Sequence, residues 1–149
     1  MRISVLAIFL AATLFSIPSV AQRNVTPAIE RDPLLEADAK HNLDVAWQAF
    51  GPARKAYKQV LLRFEETFAA YPDFSKMDEF LYLAGMSSYY LSKNEGKQKV
   101  NLKIEKEKEK YAPEKLRQDA VAYLSLMLDR NPDSQYRSNA DRILKELKP

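Results

Sequence analysis

From residue 32 onward, apolar side chains return at three- and four-residue steps, the period of a helix with one buried face. Asp32-Pro33 predicts the first start. An aspartate can accept from the free N–H groups of a first turn, and proline already holds a helical φ. Leu35, Ala39, Leu43, Ala46, Trp47 and Phe50 then share a face. Gly51-Pro52 is expected to end that helix and open the next. In the second helix Ala53, Ala56, Tyr57, Val60, Leu61, Phe64, Phe68 and Tyr71 line one side, and Arg54, Lys55, Lys58, Arg63, Glu65 and Glu66 occupy much of the other. A join this short makes the two helices antiparallel.

Tyr71-Pro72-Asp73-Phe74 breaks the pattern, and Ser75-x-x-Asp78 has the form of an N-cap with an acidic third residue. The third helix, at 76–91, is apolar nearly all round, with Phe80, Leu81, Tyr82, Leu83, Ala84, Met86, Tyr89, Tyr90 and Leu91. Such a helix is buried on most sides and should lie at the centre. Gly85 in its middle costs about 1 kcal/mol against alanine, which predicts close approach of a neighbouring helix.

Gly96 is a stop signal, and the segment at 93–110 holds seven lysines and four glutamates with few apolar residues. It reads as a charged surface insertion, helical in part and mobile. Pro113 opens a fourth helix with Leu116, Ala120, Tyr123, Leu124, Met127 and Leu128 inward. Asn131-Pro132-Asp133-Ser134 breaks and caps again, and the last helix turns Tyr136, Ala140, Ile143, Leu144 and Leu147 inward. The fold class expected is all-α, with about five helices.

Two stretches echo each other at a spacing of sixty residues. Phe64-x3-Phe68-x2-Tyr71-Pro72-Asp73 corresponds to Leu124-x3-Leu128-x2-Asn131-Pro132-Asp133. Each joins an apolar helix face to a Pro-Asp break and a second amphipathic segment, which makes one helical-hairpin unit used at least twice.

The first residues have a different character. Met1-Arg2 precedes an apolar run from Ile3 to Phe15, then Pro18 and the small residues Ser19 and Ala21. This order is that of a secretory signal peptide, with cleavage expected after Ala21 and residues 22–31 as a flexible lead. The apolar run is shorter than the roughly 20 residues a bilayer requires. No cysteine is present to carry a lipid anchor, a disulfide, a thiolate metal site or a thiol nucleophile. The remaining segment, 32–149, is one domain by size. Arg2 is one of 23 basic residues, so the rest carries a formal charge of only +2. A balance this even does not point to nucleic acid.

Candidate chemistry is sparse. His41, the only histidine, stands near Asp38 and Asp44, but no motif places a nucleophile beside it. No carboxylate–histidine cluster has metal-ligand spacing and no glycine-rich loop could cradle a phosphate, so no catalytic residue, metal or cofactor is assigned. Tyr82, Tyr89 and Tyr90 are the binding candidates, with core packing as their competing role. The lysine-rich insertion could meet an anionic surface or serve as a solvated spacer.

On Phe64 and Pro72, then Leu81, Gly85 and Tyr89, then Ala120, Leu124 and Pro132, the chain resembles the tetratricopeptide-repeat (TPR) proteins. Within them it is more similar to the exported BamD-type branch of outer-membrane assembly factors. The resemblance implies helix pairs stacked as a short solenoid, the first helix of each pair lining a concave groove and a solvated last helix closing the array. Residues 32–71 would form unit one, 76–130 unit two and 134–147 the cap. The implied function is an exported, non-enzymatic adaptor that binds a protein or peptide segment, with Tyr82, Tyr89 and Tyr90 as groove candidates. Two alternatives are a small exported enzyme, or accessory subunit of one, using His41, and a peripheral factor docking on anionic lipid through the insertion.

Overall fold

The computed structural model describes residues 31–147. The expected leader, its cleavage point and all but the last residue of the lead lie outside them. Six helices and no strand occur among the described residues: α1 (Pro33–Phe50), α2 (Tyr57–Ala70), α3 (Met77–Ser92), α4 (Glu105–Tyr111), α5 (Pro113–Arg130) and α6 (Arg137–Leu147). The all-α expectation holds there. The sixth helix is α4, the helical part of the charged insertion.

The α1 start is as its sequence dictates. The Asp32 carboxylate accepts from Leu34 N at 2.8 Å and Leu35 N at 3.4 Å, with Pro33 in the first turn. The buried face begins later than the pattern suggested, at Ala39, and Leu35 stays 39% exposed. A larger correction falls at the first turn. Gly51-Pro52 ends α1 but does not open α2, which begins only at Tyr57. Arg54 N and Lys55 N both donate to Gly51 O, Lys55 takes φ 45°, and Ala56 N returns to Ala49 O at 2.8 Å. A left-handed residue cannot sit inside a right-handed helix, so Pro52 and Ala53 are left in an exposed turn.

Helix α3 is the centre of the molecule. Twelve of its sixteen residues are buried, and it packs against α1, α2 and most extensively α5. Gly85 permits that last contact, since a Cβ placed there would lie 2.6 Å from Leu124 Cγ. Phe64 of α2 ties the layers together: its ring lies 5.3 Å from Phe68, 5.7 Å from Phe80 and 4.9 Å from Tyr123.

The sixty-residue echo extends to the backbone. After α2, Tyr71 N donates to Thr67 O, Phe74 N to Tyr71 O and Met77 N to Phe74 O. After α5, Asn131 N donates to Met127 O, Ser134 N to Asn131 O and Arg137 N to Ser134 O. Tyr71 and Asn131 close their helices at nearly the same φ, −149° and −141°. By this equivalence α6 stands to α5 as α3 stands to α2. Where α3 has Leu81 and Gly85, however, α6 has Asp141 and Lys145, which line an open hollow of about 580 Å³ beside α5. The side on which α3 receives α5 is thus polar on α6, the mark of a solvated end.

The insertion is at the surface and partly helical, as expected, but it is fastened rather than loose. Lys58 Nζ donates to Lys99 O at 2.7 Å and to Glu107 Oε2 at 2.8 Å, and Lys110 pairs with Glu65 at 2.5 Å. Lys97 N donates to Lys55 O at 3.1 Å, joining the insertion to the first turn. Gly96 makes that approach feasible at φ 91°, where an added Cβ would meet both Lys55 O and the Tyr57 ring at 2.7 Å. Gly96→Ala is therefore expected to lower the unfolding free energy by about 2 kcal/mol, the order of a left-handed alanine plus a clash. Gly51→Ala is the control, because its Cβ meets nothing closer than 3.5 Å. Urea midpoints of the two variants check the difference.

Candidate functional site

The three candidate tyrosines do not form one surface. Tyr82 is 7% exposed and Tyr89 5%. The Tyr82 ring stacks on Tyr136 at 4.2 Å with 13° between planes, and its hydroxyl accepts from Asn139 Nδ2 at 3.4 Å. The Tyr89 hydroxyl donates to Glu146 Oε2 at 2.7 Å and accepts from Lys93 Nζ at 2.5 Å, while Lys93 also donates to Glu146 Oε1 at 2.7 Å. These two side chains seat α6 on α3. Tyr90, one position on, is only partly covered; its ring lies 5.4 Å from that of Tyr89 but does not bond α6.

Tyr90 belongs to a second aromatic group at the C-terminal ends of α1 and α3. Its ring stacks on Tyr57 at 5.1 Å and lies 6.2 Å from Phe50, which meets Trp47 edge-on at 6.0 Å. Trp47 is oriented by its indole N–H, which donates to Glu79 Oε1 at 2.6 Å, and it reaches Tyr136 at 6.1 Å. Around these rings runs an open cleft of about 470 Å³, floored by the turn at Gly51-Pro52 and edged by Lys55 and Glu95. Its volume lies in the range of small-molecule and side-chain pockets, roughly 300–1,000 Å³.

The sequence pattern assigned Trp47, Phe50 and Tyr57 to buried helix faces, and only Tyr57 is buried. The cleft arises because the first turn swings back to Ala49 and the insertion returns to Lys55. The available signal was the meeting of Gly51-Pro52 with aromatics on both sides.

Burial is the first cause that raises the phenol pKa of Tyr57, Tyr82, Tyr89, Tyr123 and Tyr136. Nearby acids add to it for all of these but Tyr82, and Tyr136 and Tyr123 are each pushed up to about 12. The bonds from Lys93 and Tyr89 hold the Glu146 carboxyl below its ordinary value, and the bond from Lys58 does the same for Glu107. Lys93 is raised in turn, by Glu146 first and then Tyr89. The two kinds of shift act on opposite sides of neutrality. Groups with raised folded values contribute stability that is complete below their unfolded values, about 10 for tyrosine and lysine, and is lost as pH climbs through the folded ones. Depressed carboxyls contribute stability present above about 4.3 and lost as pH falls through their folded values. We expect a plateau in denaturation midpoint from about pH 5 to pH 9, then a steep alkaline decline as the buried phenols ionise. Midpoints measured at pH 7, 9 and 11 check this; an unchanged midpoint at pH 11 contradicts it.

His41 lies exposed on α1. Among the described residues no group of three or more histidine, cysteine, aspartate and glutamate side chains could hold a metal, and no helix is long and apolar enough to cross a membrane. No family model matches the chain, and no curated protein or solved structure matches it at a significant level.

Proposed function

We propose that the chain is an exported, non-enzymatic adaptor of tetratricopeptide-repeat type that binds a polypeptide segment of a partner, in the envelope or outside the cell. The observation that carries this reading is the open aromatic cleft between the ends of α1 and α3. Trp47, Phe50 and Tyr90 are half-buried there, held by their neighbours yet open to the solvent side. Rigid aromatic surface of this kind binds at small loss of conformational freedom and is enriched where proteins meet. The leader-like order of residues 1–21 supports export, and the repeated hairpin supports a scaffold role. Assembly of outer-membrane proteins is the setting that the resemblance to the BamD-type branch suggests.

Affinity isolation from the native cell with the wild-type chain and with Phe50→Ala/Tyr90→Ala tests the reading. The wild type is expected to retain one or a few polypeptides that the double variant loses, with the helical content of both the same. Retention of the same polypeptides by the variant contradicts the cleft as the binding surface.

A second reading, docking on an anionic lipid surface, is favoured by Leu102 and Ile104, each 48% exposed, beside Lys103 and Lys106. Flotation with anionic vesicles that is unchanged in Leu102→Ser/Ile104→Ser excludes it.

A further inference from the structure

We infer that the aromatic cleft receives a cationic side chain, arginine or lysine, of the partner polypeptide, its charge lying against the rings of Trp47, Phe50 and Tyr90 and facing Glu95. This rests on the adaptor reading and specifies its ligand chemistry.

The first observation is charge. Helices α1 and α3 both bring their C-terminal ends to the cleft, and neither carries a basic residue in its last turn. Each end presents the negative pole of its dipole there, offset in part by the start of α2 at Tyr57 and by Lys55. Lys93, just past α3, is committed to Glu146 and Tyr89. Glu95 stands at the rim without an ion-pair partner among the described residues, and its charge reaches the Tyr57 phenol.

The second observation is that the rings are unoccupied by any cation of the protein. The cation–ring contacts among the described residues lie elsewhere, Lys58 and Lys110 over Tyr111 and Lys93 over Tyr89. A cation within about 6 Å of a ring face is attracted by the ring quadrupole, most strongly by tryptophan. An aliphatic stem entering the same space would bury against Phe50 and Tyr90 while its head stays near Glu95.

Lys55, also at the rim and joined to the Glu95 segment through the bond from Lys97 N to its carbonyl, makes no hydrogen bond or ion pair through its side chain among the described residues. It is a built-in competitor for the site. Its removal should tighten binding, which a simple apolar cleft would not predict.

Trp47 is the only tryptophan, so its emission reports on the cleft alone. The test titrates the purified chain with blocked tripeptides Gly-Arg-Gly and Gly-norleucine-Gly, and with tetramethylammonium chloride. Expected is a saturable change with the arginine peptide, at least about 5-fold weaker for the norleucine peptide. Glu95→Gln should weaken arginine binding about 3-fold, and Lys55→Gln should strengthen it by a similar factor. These fold-changes are the order of one exposed cation–π contact or screened charge pair. Both rim positions are exposed, so their variants keep the fold. Equal binding of the two peptides overturns cation recognition and leaves the adaptor reading standing. Tetramethylammonium binding as tightly as the arginine peptide overturns the polypeptide as occupant. No saturable response to any probe overturns the cationic side chain as ligand, and the adaptor reading then rests on the affinity isolation alone.

Discussion

Phe64→Ala is expected to lower the unfolding free energy by about 4 kcal/mol, the order found when a fully buried phenylalanine is truncated and its site cannot collapse. Phe64 is 1% exposed, and its ring contacts Phe68 on its own helix, Phe80 on α3 and Tyr123 on α5. Three aromatic partners on three helices cannot all move into the vacated space without shifting those helices. A domain of this size has about 5–15 kcal/mol in total, so the variant should lose a large part of its stability. Urea denaturation followed by circular dichroism measures it; a loss under about 1 kcal/mol would mean that Phe64 does not join the three helices.

The second large effect is at Gly85. Alanine there gains about 1 kcal/mol of helix propensity, but its Cβ would stand 2.6 Å from Leu124 Cγ and 2.7 Å from Cδ2. Leu124 Cγ is a branch atom near the backbone rather than the far end of a flexible side chain. A turn of the Leu124 side chain would leave its backbone N only 3.4 Å away in a fully buried site. The helices must part, and overpacking of this kind costs about 1–3 kcal/mol. Gly85→Val, which adds a branched side chain, is expected to cost about 3 kcal/mol or more. The mechanism has its own signature. Gly85→Ala/Leu124→Ala should be less destabilised than the sum of the single changes, by at least about 1 kcal/mol. Additive losses would show that the two helices do not cross at this point.

What was legible in the sequence was mostly what a repeat or a period could carry. The Phe64 and Leu124 echoes lead to turns with the same hydrogen bonds, because the same Pro-Asp break follows the same apolar spacing. The apolar circumference of α3 correctly placed it at the centre, and Gly85 marked the close crossing. What failed depended on single backbone angles or on long-range contacts. Nothing in Lys55 announces a left-handed φ, so the start of α2 was expected too early. The insertion read as a charged surface segment, helical in part and mobile, yet it is fastened by individual pairings with α2 and the first turn.

The site divides the same way. Tyr82, Tyr89 and Tyr90 were grouped by type and neighbourhood along one helix. Residues 82 and 89 turn toward α6, and Tyr90, one residue on, lies about 100° further round the helix, against Tyr57. Trp47 and Phe50 were absorbed into the periodic face of α1, since periodicity cannot tell a covered residue from one at the open end of a helix.

Photo-crosslinking in living cells tests the cleft as a binding surface most directly. A benzophenone amino acid is placed at Phe50 in one strain and at Leu62, 46% exposed on α2, in another. The predicted result is one partner polypeptide captured at position 50, mapping to a segment that contains arginine or lysine, absent at position 62 and lost when Trp47→Ala is added. Equal capture at both positions, or capture at 62 alone, contradicts it.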